Sequence, residues 1–465
     1  MILHLSPADW IIVALYFSVL LFLGLRKNKT AQAKGSDFVL GGRMLTLPSF
    51  VAALVSTWYG GILGVGEFSY SYGISNWMVF GVPYYFFAII FALYFAPKIR
   101  RAEVTSIPDT LYRHFDRKTG LIGSLLTFFI TSPAPYILMV AILLQVVTGF
   151  SFGVALLAST VGSAVYVMAG GFRSVVQTEK LQFALMFSGF LIMTILLISR
   201  QGFAPIHPEN LPENHWLLSG GNSWQYILVW FFIALWTLVA PTFHQFTNAA
   251  KDVRTAKSGI LISVACWFFF DLLTTISGMY ARGLLPHLEN PSMAYPALAE
   301  SFLPPIAKGI FYIGMLATVI STVDGFTFIA ATTIGQDVIG KLTGRNDSAS
   351  ITRYVRFGIL VTIAISFAII LLFPSIISLW YIIGSLCIPG LLLPLVSCYW
   401  TKWKLSPTQT FIAMIVGSAL SLASFIWGMT HQQNGIALYP FGIESMYPGL
   451  AGVGVMWMVG KRMEK

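Results

Sequence analysis

Apolar runs of roughly 20 residues, the length a helix needs to cross hydrocarbon, follow one another along nearly the whole chain. Hydrophobic residues make up 56% of the sequence and charged residues only 10%, against roughly 25% charged in a soluble domain. So little charge cannot solubilise a surface of this size, so lipid must be the solvent. In lipid every backbone N–H and C=O has to be paired internally, which leaves helices or closed barrels. The runs are far longer than the roughly 10-residue alternating segments of a barrel. The expected class is an all-α membrane protein.

Thirteen spans are expected, at 9–25, 45–72, 77–96, 121–148, 152–169, 181–199, 227–249, 259–279, 306–334, 354–373, 376–400, 407–429 and 446–460. A polar stretch rich in Pro, Glu and Asn separates the sixth from the seventh. If loops alternate sides, one side holds 25 of the 28 Lys and Arg residues, from Arg26, Lys27, Lys29 and Lys34 through Arg101, Arg254 and Arg345 to Lys465. The other holds only Arg200, Arg282 and Lys308. The positive-inside rule then puts the N-terminus outside and the C-terminus in the cytoplasm of a plasma (inner) membrane protein. A miscounted span would scramble that split.

Several function classes fall away. The net charge of +10 is spread over short loops, not gathered in one patch, so no nucleic-acid partner is expected. Cys266, Cys387 and Cys398 lie in apolar runs, are odd in number and have no clustered His, as small buried residues do. The first run is long, lacks a small-residue cleavage site and has its basic flank after it, unlike a signal peptide. No Walker A sequence is present, and no loop leaves room for a soluble enzyme or signalling module. Formal glycosylation sequons at Asn28 and Asn346 fall on the inside and carry no meaning. No enzyme activity, no cofactor and no obligatory protein partner are expected, only the bilayer and small molecules.

Polar or unwound positions inside a membrane are where function concentrates, because burying them costs free energy. The second span carries Ser56-Thr57-Trp58-Tyr59-Gly60-Gly61 at mid-depth. Gly is the weakest helix former after Pro, and a break there would free carbonyls of Leu54 and its neighbours for a cation and aim N–H groups at an anionic group. A continuous helix with Gly at a packing face is the competing reading. The seventh span holds Ala240-Pro241 in its interior, where Pro removes a helix hydrogen bond. Spans two to six and seven to eleven form two groups of five that start on opposite sides, each opening with an interrupted helix, the layout of inverted-repeat transporters. In the ninth span Thr318, Ser321 and Thr322 share one helix face, suited to a hard monovalent cation, although each hydroxyl could instead bond back to its own helix. Asp324, on a nearby turn, could titrate, cap or pair locally.

Four stretches resemble motifs of the sodium:solute symporter family, which includes proline, sugar and sialic-acid carriers. They are Ser36-Asp37-Phe38-Val39-Leu40-Gly41-Gly42-Arg43; Ala169 to Gln182 with Gly170-Gly171, Thr178-Glu179 and Gln182; Ala249-Ala250-Lys251-Asp252 with Ala256 and Gly259; and Ala317 to Thr322 followed by Gln336-Asp337. The resemblance implies a LeuT-type five-plus-five inverted repeat with one extra helix before the core and two after it. The divisions expected are 1–44 for the first helix and cytoplasmic linker, 45–200 for repeat one, 201–225 for an extracellular loop, 226–402 for repeat two and 403–465 for two C-terminal helices.

It further implies that Na+ is the coupling ion and the only metal, held by the carbonyls of Leu54, Thr57 and Thr318 and the hydroxyls of Ser321 and Thr322. A second sodium or an exit path would use Glu179, Thr318 and Ser321, as in some members. Three departures stand out: Ser56 replaces an acid or amide, Phe246 replaces an Arg, and Glu179 replaces Asp. Positions that bind sugar in sugar carriers are Gly61, Phe80 and Ile233 here, and no Arg occurs between Leu121 and Thr148 where a sialic-acid carrier has one. Solute-binding candidates are Ser56, Trp58, Tyr59, Tyr136, Trp236 and Thr237. The implied function is sodium-coupled symport of a small organic solute, with an amino acid or small organic acid preferred. A membrane solute sensor or an uncoupled uniporter on the same fold are the alternatives.

Overall fold

A computed structural model describes residues 3–25, 35–345, 347–433 and 436–463. Arg26, Lys27, Lys29, Lys34, Lys465 and the sequon positions Asn28 and Asn346 lie outside the described residues. The described chain is helical apart from the two-residue strands Gln432–Gln433 and Ile436–Ala437 and one bridge between Leu45 and Ala250. Among the described residues nine helices are long and apolar enough to cross a membrane, and a bent pair makes a tenth. The first, fifth and thirteenth expected spans are helical but shorter or less apolar: Pro7–Leu25, the leading part of Phe152–Gln201, and Met446–Met463.

The bent pair is the expected second span. Leu47–Trp58 ends at Tyr59, Gly61 stands outside helical geometry, and Ile62–Tyr72 resumes at 63° to the first half. The glycines here serve close approach. A Cβ on Gly60 would run into the Thr322 side chain, and one on Gly325 would lie 2.7 Å from Thr57 Cγ2. The seventh span is interrupted too. Trp224–Ile233 gives way to a single turn, Trp236–Val239, then Ala240 is extended (ψ 115°) and Pro241–Ala249 begins with Pro at its start, where its missing N–H costs nothing. The start of the first interrupted span is tied to the end of the second, with Leu45 N–H on the Ala249 carbonyl at 3.0 Å and Lys251 N–H on the Leu45 carbonyl at 3.1 Å.

Ala307–Thr332 is the axis of the molecule, and the most apolar stretch of its span is wholly enclosed by protein. In lipid, helices gain little from hiding apolar surface and associate through close packing, which small residues permit. Gly314 and Gly189 do this. A Cβ on Gly189 would sit 3.3 Å from Gly314 Cα, and one on Gly314 would sit 2.8 Å from the Leu185 carbonyl oxygen. The axial helix therefore meets the sixth span backbone to backbone. That sixth span begins at Gly171, whose φ of 63° turns the chain and favours Gly. Residues 171–180, expected to be loop, are thus helical, because the positive φ at Gly171 lets one helix start where the other stops.

Candidate functional site

The last carbonyls of a helix have no partner within it, and the break in the second span leaves such carbonyls at the protein's centre. Two are taken by side chains from other helices. Thr322 Oγ1 donates to the Thr57 carbonyl at 2.7 Å, and Trp267 Nε1 donates to the Val55 carbonyl at 3.4 Å. Leu54, Thr57, Thr318, Ser321, Thr322 and Glu179 all have no exposed surface.

Their hydroxyls differ. Thr318 Oγ1 bonds back to the Gly314 carbonyl at 2.7 Å, leaving the Thr318 carbonyl to accept Thr322 Oγ1 at 3.3 Å. Ser321 Oγ is buried and has no hydrogen-bond partner. A buried hydroxyl left unpaired costs roughly 1–3 kcal/mol on mutational scales, so its persistence fits an oxygen kept for a ligand. Thr57 faces two ways: its carbonyl accepts Thr322, and its own hydroxyl donates to Glu179 Oε1. Glu179 Oε2 has no hydrogen-bond partner, while the neighbouring Lys180 is exposed. Asp324, placed only loosely by its sequence position, is fully buried with neither carboxylate oxygen hydrogen-bonded. Phe246, which replaces an Arg, packs instead against Phe50 and Phe172 at ring separations of 6.4 and 5.7 Å.

Directly beyond Thr57, Trp58 and Tyr59 enter the wall of a cavity of about 1000 Å³, counting its open mouth. Tyr136 and Trp236 line it as well. Ser56 and Thr237 do not: the Ser56 hydroxyl turns back to the Ala52 carbonyl at 2.8 Å, and the Thr237 hydroxyl is buried without a partner. Gly61, Phe80 and Ile233 give the lining an apolar stretch.

Several lining residues were not anticipated, among them Tyr84, Tyr85, Trp267 and Trp380, and the charged one is Asp271. Asp271, in the middle of Val253–Leu284, lines the cavity and accepts the phenol hydroxyls of Tyr59 on Oδ1 and of Tyr85 on Oδ2. Tyr59 also lies 3.0 Å from Thr274 Oγ1. The signal was available, because a lone acid inside an apolar run is itself a functional marker.

Comparison with known proteins agrees with this architecture. The model of the family described as sodium:solute symporter family matches residues 38–417. The osmoregulated proline transporter of Bacillus subtilis is 24% identical, over 97% of this chain and 95% of that protein. The sodium/pantothenate symporter of Haemophilus influenzae is 24% identical over 92% and 90%. Among solved structures, a substrate-bound, outward-open Na+-coupled sialic acid symporter superposes with a TM-score of 0.81 at 15% identity, covering 98% of both chains. A nucleobase-cation-symport-1 family transporter in a closed conformation gives 0.60 at 11% identity, over 92% and 94%. At these identities the structures speak for the fold, which is LeuT-like, and the relatives are carriers, not enzymes. By its sequence match over most of its length, the chain belongs to the sodium:solute symporter family.

Proposed function

We propose that this chain carries a small organic solute together with sodium by alternating access, and that the solute is an amino acid or a small organic acid. Leu54, Thr57, Thr318, Ser321 and Thr322 hold the coupling ion; Glu179, with Thr318 and Ser321, serves a second ion or the exit path. Trp58, Tyr59, Tyr136 and Trp236 hold the solute. The observation that carries the reading is the continuity of the break: Thr57, held by Thr322 and Glu179, is followed without interruption by Trp58 and Tyr59 in the cavity wall. A cation that draws the Thr57 carbonyl toward the axial helix therefore also sets the two aromatic side chains, and by reciprocal linkage the solute tightens the cation.

The acid preference is supported by the second half of the broken helix. Its N-terminus follows Gly61, a lining residue, so unpaired N–H groups and the positive helix end lie near the cavity. Residues 45–200 and 226–402 act as the two inverted repeats of a thirteen-span carrier, with 1–44 before them, 201–225 as the external connection and 403–465 after. The Lys/Arg split puts the N-terminus outside and the C-terminus in the cytoplasm of the plasma membrane. The test is uptake of a labelled solute panel into proteoliposomes with and without an inward sodium gradient. Accumulation only with the gradient supports symport; equal uptake in both conditions refutes coupling.

A further inference from the structure

We infer that the transported solute carries a positively charged nitrogen, an organic ammonium group seated between Asp271 and the aromatic walls of the cavity. The inference rests on the symport reading above and narrows its solute class. Three observations carry it.

Asp271 is 2% exposed, yet it reaches the cavity surface. Among the described residues that line this cavity it is the sole charged side chain. Both of its oxygens are used, one by the Tyr59 phenol and one by the Tyr85 phenol, but these donors are neutral. No ion pair among the described residues includes it. A buried carboxylate held only by neutral donors lacks the counter-charge that would offset its desolvation. A bound cation supplies it.

The walls suit that cation. Trp58, Trp236, Trp267 and Trp380 line the cavity together with Tyr84 and Tyr136. Aromatic rings attract an ammonium group through their quadrupole, and do so more strongly where water is excluded. A neutral polyol gains nothing comparable here, since no Lys, Arg, Asn or Gln is among the lining residues described, and a carboxylate has only the helix N-terminus after Gly61, which an amino acid can use together with Asp271.

The rim repeats the sign. Tyr381, itself a lining residue, donates its phenol to Glu444, and Glu67 lies on the helix that begins at the break. Neither carboxyl forms an ion pair among the described residues. An acidic approach raises the local concentration of cations.

Full-length protein in nanodiscs provides the test, with tryptophan fluorescence reporting binding in sodium. The probes are choline and proline as ammonium compounds, 3,3-dimethylbutanol as the neutral isostere of choline, and lactate as an anion. At least one ammonium probe should bind, with dimethylbutanol and lactate weaker by tenfold or more. Choline alone identifies a plain organic cation, proline alone a zwitterion, and either result supports the inference. Asp271→Asn should weaken the ammonium probe about 10- to 100-fold, the range for losing a charged partner. Asp271→Glu should restore part of the loss, and the response to sodium alone is recorded for each variant as the check on its fold. If Asp271→Asn also loses the sodium response, the selectivity of the wild type decides the matter. The inference is overturned if no ammonium probe binds, if lactate or dimethylbutanol binds as well as the tighter ammonium probe, or if Asp271→Asn, with its sodium response intact, binds as the wild type does. Ammonium selectivity without sodium dependence would refute symport and leave this inference standing; sodium-dependent selectivity for lactate would do the reverse.

Discussion

Ser321→Ala offers a test in which stability and sodium affinity move in opposite directions. The Ser321 hydroxyl is fully buried and makes no hydrogen bond. Removing a buried hydroxyl that has no partner relieves a desolvation cost of roughly 1–3 kcal/mol, offset in part by the small void left behind. Without sodium the variant should therefore be as stable as the wild type or up to about 2 kcal/mol more stable. In the proposed site the same oxygen is a sodium ligand, and on that proposal losing it should cost on the order of 1–3 kcal/mol, a rise of roughly 5- to 150-fold in the half-saturating sodium concentration. Thr322→Val is the control, because it removes a hydroxyl that already donates to the Thr57 carbonyl at 2.7 Å. That change should lower sodium-free stability by about 1 kcal/mol as well as weaken sodium. Thermal melts in detergent across a sodium titration, with ionic strength held by an organic cation too large to enter, read both quantities, since sodium stabilises by mass action. A Ser321→Ala protein that melts lower than the wild type without sodium, yet gains as much from sodium, would refute the reasoning.

Glu179→Gln keeps an oxygen that can accept the Thr57 hydroxyl and removes only the charge; turnover and sodium release should slow more than solute affinity changes, and an unaltered turnover number in single-turnover sodium efflux would reject the role. In the polar segment between the sixth and seventh spans His215 donates through Nε2 to the Tyr70 carbonyl at 2.9 Å, and its own carbonyl accepts Ile74 N–H, also at 2.9 Å. Burial holds this imidazole below its ordinary value of 6.5, so the docked loop takes up its proton later than the undocked one. Docking is then fully stable above about pH 6.5 and weakens as pH falls from there toward the lowered value, which hydrogen exchange across 213–217 should follow and His215→Gln should abolish. Cysteines placed at 101, 254 and 345 should resist impermeant thiol reagents added outside intact cells, while those at 209 and 291 should react; external labelling at 101 would overturn the orientation.

The class of fold and the place of its first break were legible because both are local properties. Apolar length demands helices in lipid, and two glycines after Trp58 deprive a helix of propensity wherever it packs. The shared face of Thr318, Ser321 and Thr322 follows from helical spacing alone. Which of those hydroxyls would turn back on its own helix and which would stand unpaired was not legible, because Thr318 and Ser321 carry the same chemistry and differ only in what lies opposite. The same holds for Ser56 and Thr237, polar residues beside the break that face away from the cavity.

Asp271 marks the division most clearly. Its position inside an apolar run announced a function, but its partners, Tyr59 and Tyr85, lie 212 and 186 residues away. The sequence by itself determined that helices would form and where Gly and Pro would weaken them, and it offered candidate oxygens for a cation. Only the tertiary structure decided which oxygens meet, because the rotation of each helix about its own axis is set by close contacts such as Gly60 with Thr322 and Gly189 with Gly314. Those contacts are sums over residues distant in the chain, and no local pattern encodes them.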